Sequence, residues 1–307
     1  MIVVCGEALI DLVPEGAAGA FRAHPGGSPA NVAVGLGRLG TRVEMVARLA
    51  ADGFGRLLRE HLATSAVGLG RVTPAAEPTT LAVVALDRAG QAEYSFYVDG
   101  CADGGWSTRD LPADLPAEVV AVHVSGSLAL AVPSMGDTLE ALLRRERGRR
   151  TLVLDPNVRP ALAADEGMLR ARLDRWLGLV DLVKVSSDDA GWLAPGEPPP
   201  QLARRWLAAG PRLVVITRGG AGVYAANAAG EVDLPAEPIT VVDTVGAGDA
   251  FTAGLLDALA RAGRLAVDAL PGLTPEALRD ALRAAQRVAA ITCGRAGADP
   301  PRREELT

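Results

Sequence analysis

The stretch DTVGAGDAF, residues 243–251, sets two glycines and an acid at the start of an apolar helix. Gly246 and Gly248 let a ligand approach the backbone closely. The amides over 246–249 fall where a helix's first N–H groups lack helical acceptors and its dipole is positive, a setting that binds anions. Asp249 closes the turn with a carboxylate. A phosphate has no use for it, but an attacking hydroxyl must lose a proton, and an ionised Asp can take it. Together the two features read as phosphoryl transfer to an alcohol: donors hold charge on the phosphoryl oxygens while the acid orients the nucleophile. An Asp in the first turn after a glycine also serves as a cap alone, and this stretch by itself leaves both readings open. A Walker-type lysine is excluded, because Lys184 is the only lysine and follows Asp-Leu-Val rather than glycines.

Other polar residues cluster in short breaks between apolar runs: Asp11, GGSPAN (26–31), DPNVR (155–159), SSDD (186–189) and TRGGAG (217–222). The runs that must position them alternate in kind. MIVVCG reads as a buried strand, and SPANVAVGLGRLG as a helix capped by Ser28 and stopped by Gly40. TRVEMVARLA is a strand and FGRLLREHLATS a helix. TTLAVVALD and AEYSFYV, around RAGQ, form a hairpin. Tyr94, Phe96 and Val98 should share one face of it, with Ser95 and Tyr97 on the other. Alternation then resumes through VVAVHVSG, PSMGDTLEALLRRERG, RTLVLDPN, EGMLRARLDRWLGLV, DLVKVS, PQLARRWLAAG and RLVVITRGG. A second hairpin, AGVYAANAAGEVDLPA, and helices over 247–262 and 274–293 close the chain. Near-continuous apolar strands alternating with helices imply an α/β fold with a mostly parallel sheet covered on both faces. Ligands bind such sheets at the carboxyl ends of the strands, where the polar breaks fall.

The bulk composition narrows the partners. In 307 residues the net charge is −6 with no basic run, which argues against a nucleic-acid or anionic-membrane surface. Cys5, Cys101 and Cys293 show neither disulfide nor zinc spacing, and are expected as free thiols in a reducing cytoplasm. VVAVHVSGSLALAV is too short and too interrupted to cross a bilayer.

DTVGAGDAFTAGLL and GGSPANVAVGLGRLG…DGFG resemble the two signatures of the PfkB, or ribokinase-like, carbohydrate kinases, and the likeness runs from CGEALIDLVP through DPNVRP and TRGGAG to GRAGA. The resemblance implies a single kinase domain over 1–307, a ribokinase-like α/β core with a small β-sheet lid from about 12–22 and 77–103, and a homodimer joined through that lid. By position, Asp249 resembles the catalytic base and Gly246, Ala247 and Gly248 the anion hole. Asp11, Gly27, Asn31, Tyr97, Asn157 and Arg159 would hold the sugar. Lys184, Ser186, Thr217, Gly219, Gly220 and Gly222, with Gly248, would hold ATP. Ser186 and Asp189 stand where the family often has Asn-x-x-Glu, giving Asp189 to Mg²⁺; Asp243 matches a monovalent-cation position, for K⁺. An amide in the first helical turn and an arginine in a surface ion pair are the plainer readings of Asn31 and Arg159.

GEALIDLVP, GGSPANVA and DPNVRP resemble the fructokinase branch. The expected reaction is transfer of the γ-phosphoryl group of MgATP to a primary hydroxyl, most simply D-fructose to fructose 6-phosphate. 2-Keto-3-deoxygluconate, whose carboxylate would pair with Arg159, and other sugars or nucleosides are the alternatives. A dinucleotide oxidoreductase would need Gly-x-Gly-x-x-Gly after the first strand, which CGEALID lacks. A non-catalytic sugar sensor would be expected to lose the base or the anion hole.

Overall fold

The computed structural model describes residues 1–15, 19–86, 92–162 and 165–306. The elements run β1 (Ile2–Cys5), β2 (Leu9–Pro14), β3 (Phe21–Gly26), α1 (Ser28–Arg38), β4 (Val43–Ala50), α2 (Gly53–Thr64), β5 (Val67–Ala75), β6 (Leu81–Leu86) and β7 (Ala92–Tyr97). They continue with β8 (Ala121–Ser125), α3 (Ser127–Ala131), α4 (Pro133–Glu146), β9 (Thr151–Asp155), α5 (Glu166–Leu177), β10 (Leu182–Ser186), α6 (Ser187–Leu193) and α7 (Pro199–Ala209). The last are β11 (Leu213–Thr217), β12 (Val223–Asn227), β13 (Gly230–Leu234), α8 (Ala247–Arg261) and α9 (Pro275–Cys293).

Nine strands form one sheet, in the order β13-β12-β11-β10-β9-β8-β1-β4-β5. From β11 to β5 every pairing is parallel, and β12 and β13 add antiparallel at one edge. Successive side chains along a strand point to opposite faces. Ile2, Val4, Val153 and Leu182 therefore pack with α1, α2, α8 and α9, while Val3, Leu152, Leu154 and Val183 pack with α3, α4, α5 and α7. The second sheet has the order β3-β2-β6-β7. The strands over residues 9–14 place Asp11 inside this second sheet rather than in the break after β1, where the sequence put it. The RAGQ turn and residues 16–18 of the expected lid lie outside the described residues.

Two helix contacts matter for the site. A Cβ on Gly35 of α1 would lie 2.6 Å from Ala253 Cβ, and one on Gly254 would lie 2.9 Å from Ala285 Cα. Small residues thus let α1 and α9 press directly on α8. Ser28 does not cap α1 as expected. Gly27 is the N-cap, with no side-chain cap bond, because the Ser28 hydroxyl is engaged elsewhere.

Candidate active site

Ser125, Asp155, Ser186 and Thr217 are the last residues of β8, β9, β10 and β11, so the parallel strands deliver a row of polar groups to one edge of the sheet. The start of α8 hangs over that edge. Gly246, its N-cap, has φ 73°, and a Cβ there would meet Ala298 Cβ at 2.5 Å; both facts require glycine. The turn is braced by Asp243, whose carboxylate accepts the Val245 amide at 3.0 Å and the Gly297 amide at 2.7 Å. The Ala247 amide turns back to Thr244 O at 3.2 Å, so of the three expected anion-hole residues it is already engaged within the turn. The Gly248 and Asp249 amides lie in the first turn of α8, where no helical acceptor exists.

Lys184 lies beneath the turn. Its Nζ donates to Asp155 Oδ2 at 2.8 Å, with both side chains buried, and a Cβ on Gly248 would stand 3.0 Å from it. Burial works against the ammonium, but Asp155, together with the Asp249 and Asp189 charges, outweighs it, and the Lys184 pKa is raised. A permanent positive charge is thereby fixed behind the nest.

Each oxygen of the Asp249 carboxylate accepts one hydrogen bond from α1. Ser28 Oγ donates to Oδ1 at 2.7 Å and Asn31 Nδ2 donates to Oδ2 at 2.9 Å. Burial raises the Asp249 pKa, while the Ser28 and Asn31 hydrogen bonds and the Lys184 charge oppose it. Asn31, expected at the sugar, thus gives one amide proton to the acid, leaving its second amide proton and its Oδ1. Behind it, Ser125 Oγ donates to Ser28 Oγ at 3.0 Å, and Asn157 Nδ2 reaches Ser125 Oγ at 3.5 Å.

Asn157 takes φ 39°, a left-handed conformation rare for a side-chain-bearing residue, and its amide is held by Asp155 Oδ1 at 3.2 Å. This bend turns Arg159 back over the strand ends, where its Nη1 donates to Val158 O at 3.1 Å. Burial pushes the Asp11 pKa up to about 6, with the Arg159 charge opposing and that of Asp249 adding to the rise. Asp11, Arg159 and Asp249 thus lie near enough to feel one another's charge. A Cβ on Gly26 would meet Asp11 Oδ2 at 2.0 Å, and one on Gly27, at φ 97°, would meet Glu7 O at 2.9 Å. The bare backbone of this glycine pair is thus what lets β2 pass so close.

Tyr97 does not join them. Asp11 pairs with Ala82 and Ala82 with Phe96, so Asp11 and Phe96 share a face and Tyr97 points to the other, 58% exposed. Tyr94, stacked on Phe96 with centroids 6.0 Å apart, is the tyrosine of the second sheet on the Asp11 side.

At the neighbouring strand ends, Ser186 is the N-cap of α6, accepting the Asp189 amide at 3.0 Å, so its hydroxyl is committed to the helix. Burial and the Asp155 charge push the Asp189 pKa up to about 6. The Thr217 hydroxyl reaches Val185 O at 3.5 Å. Gly219 and Gly222 take φ 51° and 93°, and Gly219 and Gly220 face open space. No group of three His, Cys, Asp or Glu is placed to hold a metal among the described residues.

Three residues that sequence reasoning did not single out belong to this network: Ser125, Asp155 and Glu7. Glu7 is buried, accepts the Ser127 hydroxyl, and is pushed up to about 7 by burial. Asp155 was legible only as part of DPNVR, and Ser125 and Glu7 only as polar letters at strand ends.

The arrangement has parallels among known proteins. The sequence model of the pfkB family carbohydrate kinases matches residues 1–305. The fructokinase of Rhizobium leguminosarum bv. trifolii is 40% identical over 284 residues, covering 91% of this chain and 86% of its own. A crystal structure of a Xylella fastidiosa fructokinase with bound ATP aligns with TM-score 0.92 at 29% identity, over 99% of this chain and 96% of that one. A Vibrio cholerae fructokinase double mutant, solved with fructose, ADP and a potassium ion, aligns with TM-score 0.84 at 28% identity, over 97% and 93% of the two chains.

Proposed function

The chain belongs to the pfkB family of carbohydrate kinases, ATP-dependent enzymes acting on sugars, and from that membership we propose that it is a fructokinase, phosphorylating the terminal primary hydroxyl of D-fructose to give fructose 6-phosphate. The observation that carries this reading is the Asp249 carboxylate, held from α1 in the first turn after the glycines, with its charge and that of Arg159 both acting on Asp11.

On this reading Asp249 accepts the proton of the attacking hydroxyl, and its two α1 donors fix its orientation. The first-turn amides of α8 and the charge of Lys184 lie where the transferring phosphoryl oxygens gather charge. Asp11, Asn157 and Arg159 bind sugar hydroxyls, Gly27 lends its backbone, and Thr217 and the glycines at 219–222 bind the nucleotide. The second sheet acts as a lid, with Tyr94 and Phe96 over the sugar. A bound magnesium ion would neutralise the phosphate oxygens. Asp189 would hold a water of the metal that the nucleotide carries. Asp243, bonded to two backbone amides, suits a potassium ion that stiffens the turn.

The balance of charge favours a neutral sugar. Among the described residues Arg159 is the cation acting on Asp11, the Lys184 charge is tied to Asp155, and Asp11, Glu7 and Asp249 put three carboxyl groups into the same field. A substrate carboxylate such as that of 2-keto-3-deoxygluconate would enter against them. ATP turnover followed by coupled ADP release, over a panel of fructose, 2-keto-3-deoxygluconate, ribose and nucleosides, tests this directly. Fructose is expected to give the highest kcat/KM, and Arg159→Ala to raise the KM for the sugar more than that for ATP. A higher kcat/KM for 2-keto-3-deoxygluconate would overturn fructose and leave the kinase standing. The reading also includes a homodimer built on the outer lid face and a cytoplasmic setting, in keeping with three free cysteines.

A further inference from the structure

The bonds behind Asp249 have a forced direction. An ionised carboxylate only accepts, so the single hydroxyl proton of Ser28 must point to Asp249 Oδ1, 2.7 Å away. Ser28 Oγ then offers Ser125 only lone pairs, and Ser125 must donate, at 3.0 Å. Ser125 in turn has only lone pairs left for Asn157 Nδ2, at 3.5 Å. Every donor in the row points towards the acid. Neither serine is needed by its own element: α1 has no side-chain cap bond, and both hydroxyls reach across elements far apart in sequence. Both are buried, so water does not substitute for either partner.

We infer that Ser28 and Ser125 are positioning residues for the reaction, a serial relay of hydroxyl donors that orients the Asp249 carboxylate and ties it to the Asn157 bend. The inference rests on the reading of Asp249 as the base. Besides the two serines, Asn31 donates to the same carboxylate from α1. Lys184 on β10 favours its charged form and Asp155 on β9 opposes it, while Glu7 and Asp11 lie within its field. Donors to the charged form hold a proton off, and each hydroxyl in a chain polarises the next. The influence of Ser125 therefore reaches Asp249 only through Ser28.

The test is the pH dependence of kcat/KM for the best sugar of the panel, at saturating MgATP, in Ser28→Ala, Ser125→Ala, the double variant and Ser28→Thr. Loss of a donor raises the pKa of the base, so the acid limb moves to higher pH and the deficit narrows as pH rises. Ser28→Ala is expected to move it by about one unit or more, the worth of one hydrogen bond to a charged group. Ser125→Ala should move it less. The double variant should move it no further than Ser28→Ala, and Ser28→Thr, which keeps the hydroxyl, should restore the wild-type limb. Acid limbs unchanged in both single variants, or shifts that add in the double variant, overturn the relay. Asp249→Asn separates the two layers. If it is crippled while the serine variants keep the wild-type limb, only the relay falls; if it turns over normally, the base reading fails and takes the relay with it.

Discussion

Asp249 is held between opposed influences: burial favours its proton, and two neutral donors with one ammonium favour its charge. Asp249→Asn keeps the shape and removes the acceptor. It is expected to lower kcat by about 10²–10⁴, the span of a general base, with little change in either KM. Single-turnover and steady-state rates check this, and a variant with near-normal kcat would remove Asp249 from the chemistry. The acid and its glycines were legible because nest and carboxylate are contiguous in the chain. Ser28 was misread because a serine ahead of a proline at a helix start looks like a cap, and nothing local reveals a partner 221 residues away. Ser125 was illegible for the same reason. The face of Tyr97 was legible from strand alternation, but which face covers the cleft needed the register with Asp11.

The segments linking the two sheets form an element of their own. Glu7 lies between β1 and β2, Thr80 just before β6, and Asp103 a few residues after β7. Asp103 is fully buried, its amide donates to the Thr80 hydroxyl at 3.2 Å, and the Thr80 and Trp106 side chains beside its carboxylate only partly offset that burial. Burial, with the Glu7 charge adding, pushes its pKa up to about 8. The folded state therefore keeps a proton that the unfolded chain releases at the ordinary aspartate value. Between about pH 4 and 8 this group makes stability fall as pH rises. Asp103→Asn cannot ionise and should flatten that slope. At pH 8 its Tm should exceed that of the wild type by about 1–2 °C for each kcal/mol relieved, with the gap closing towards pH 5. Equal Tm-against-pH slopes in thermal melts would place the titration elsewhere. Among the strands, those with unbroken apolar runs could be read directly. β5, with two glycines and a proline, and β3, with Pro25, could not. Each is an edge strand, where one side lacks a neighbour and the apolar pattern relaxes.

At the scale of the whole molecule, the second sheet leaves Phe21 48% and Tyr97 58% exposed, and the pairings place both on the face away from Asp11. On the proposed homodimer this is the surface that two copies share. Sedimentation at micromolar concentration is expected to give a dimer, and the pair Phe21→Asp and Tyr97→Asp to give a folded monomer. A wild-type chain that sediments as a monomer would refute the assembly. The packing of α1 on α8 reaches further. β13 ends at Leu234, so every strand among the described residues has been synthesised before Asp249 is added. The sheet face carrying Ile2, Val4, Val153 and Leu182 is nevertheless covered in part by α8 and α9, through Phe251, Leu255, Leu278 and Leu282. A polypeptide cut short before α8 therefore lacks its acid and displays a bare apolar wall at the same time. Premature termination yields a product that chaperones and proteases can grip, not a lasting decoy that captures nucleotide and sugar without turning them over.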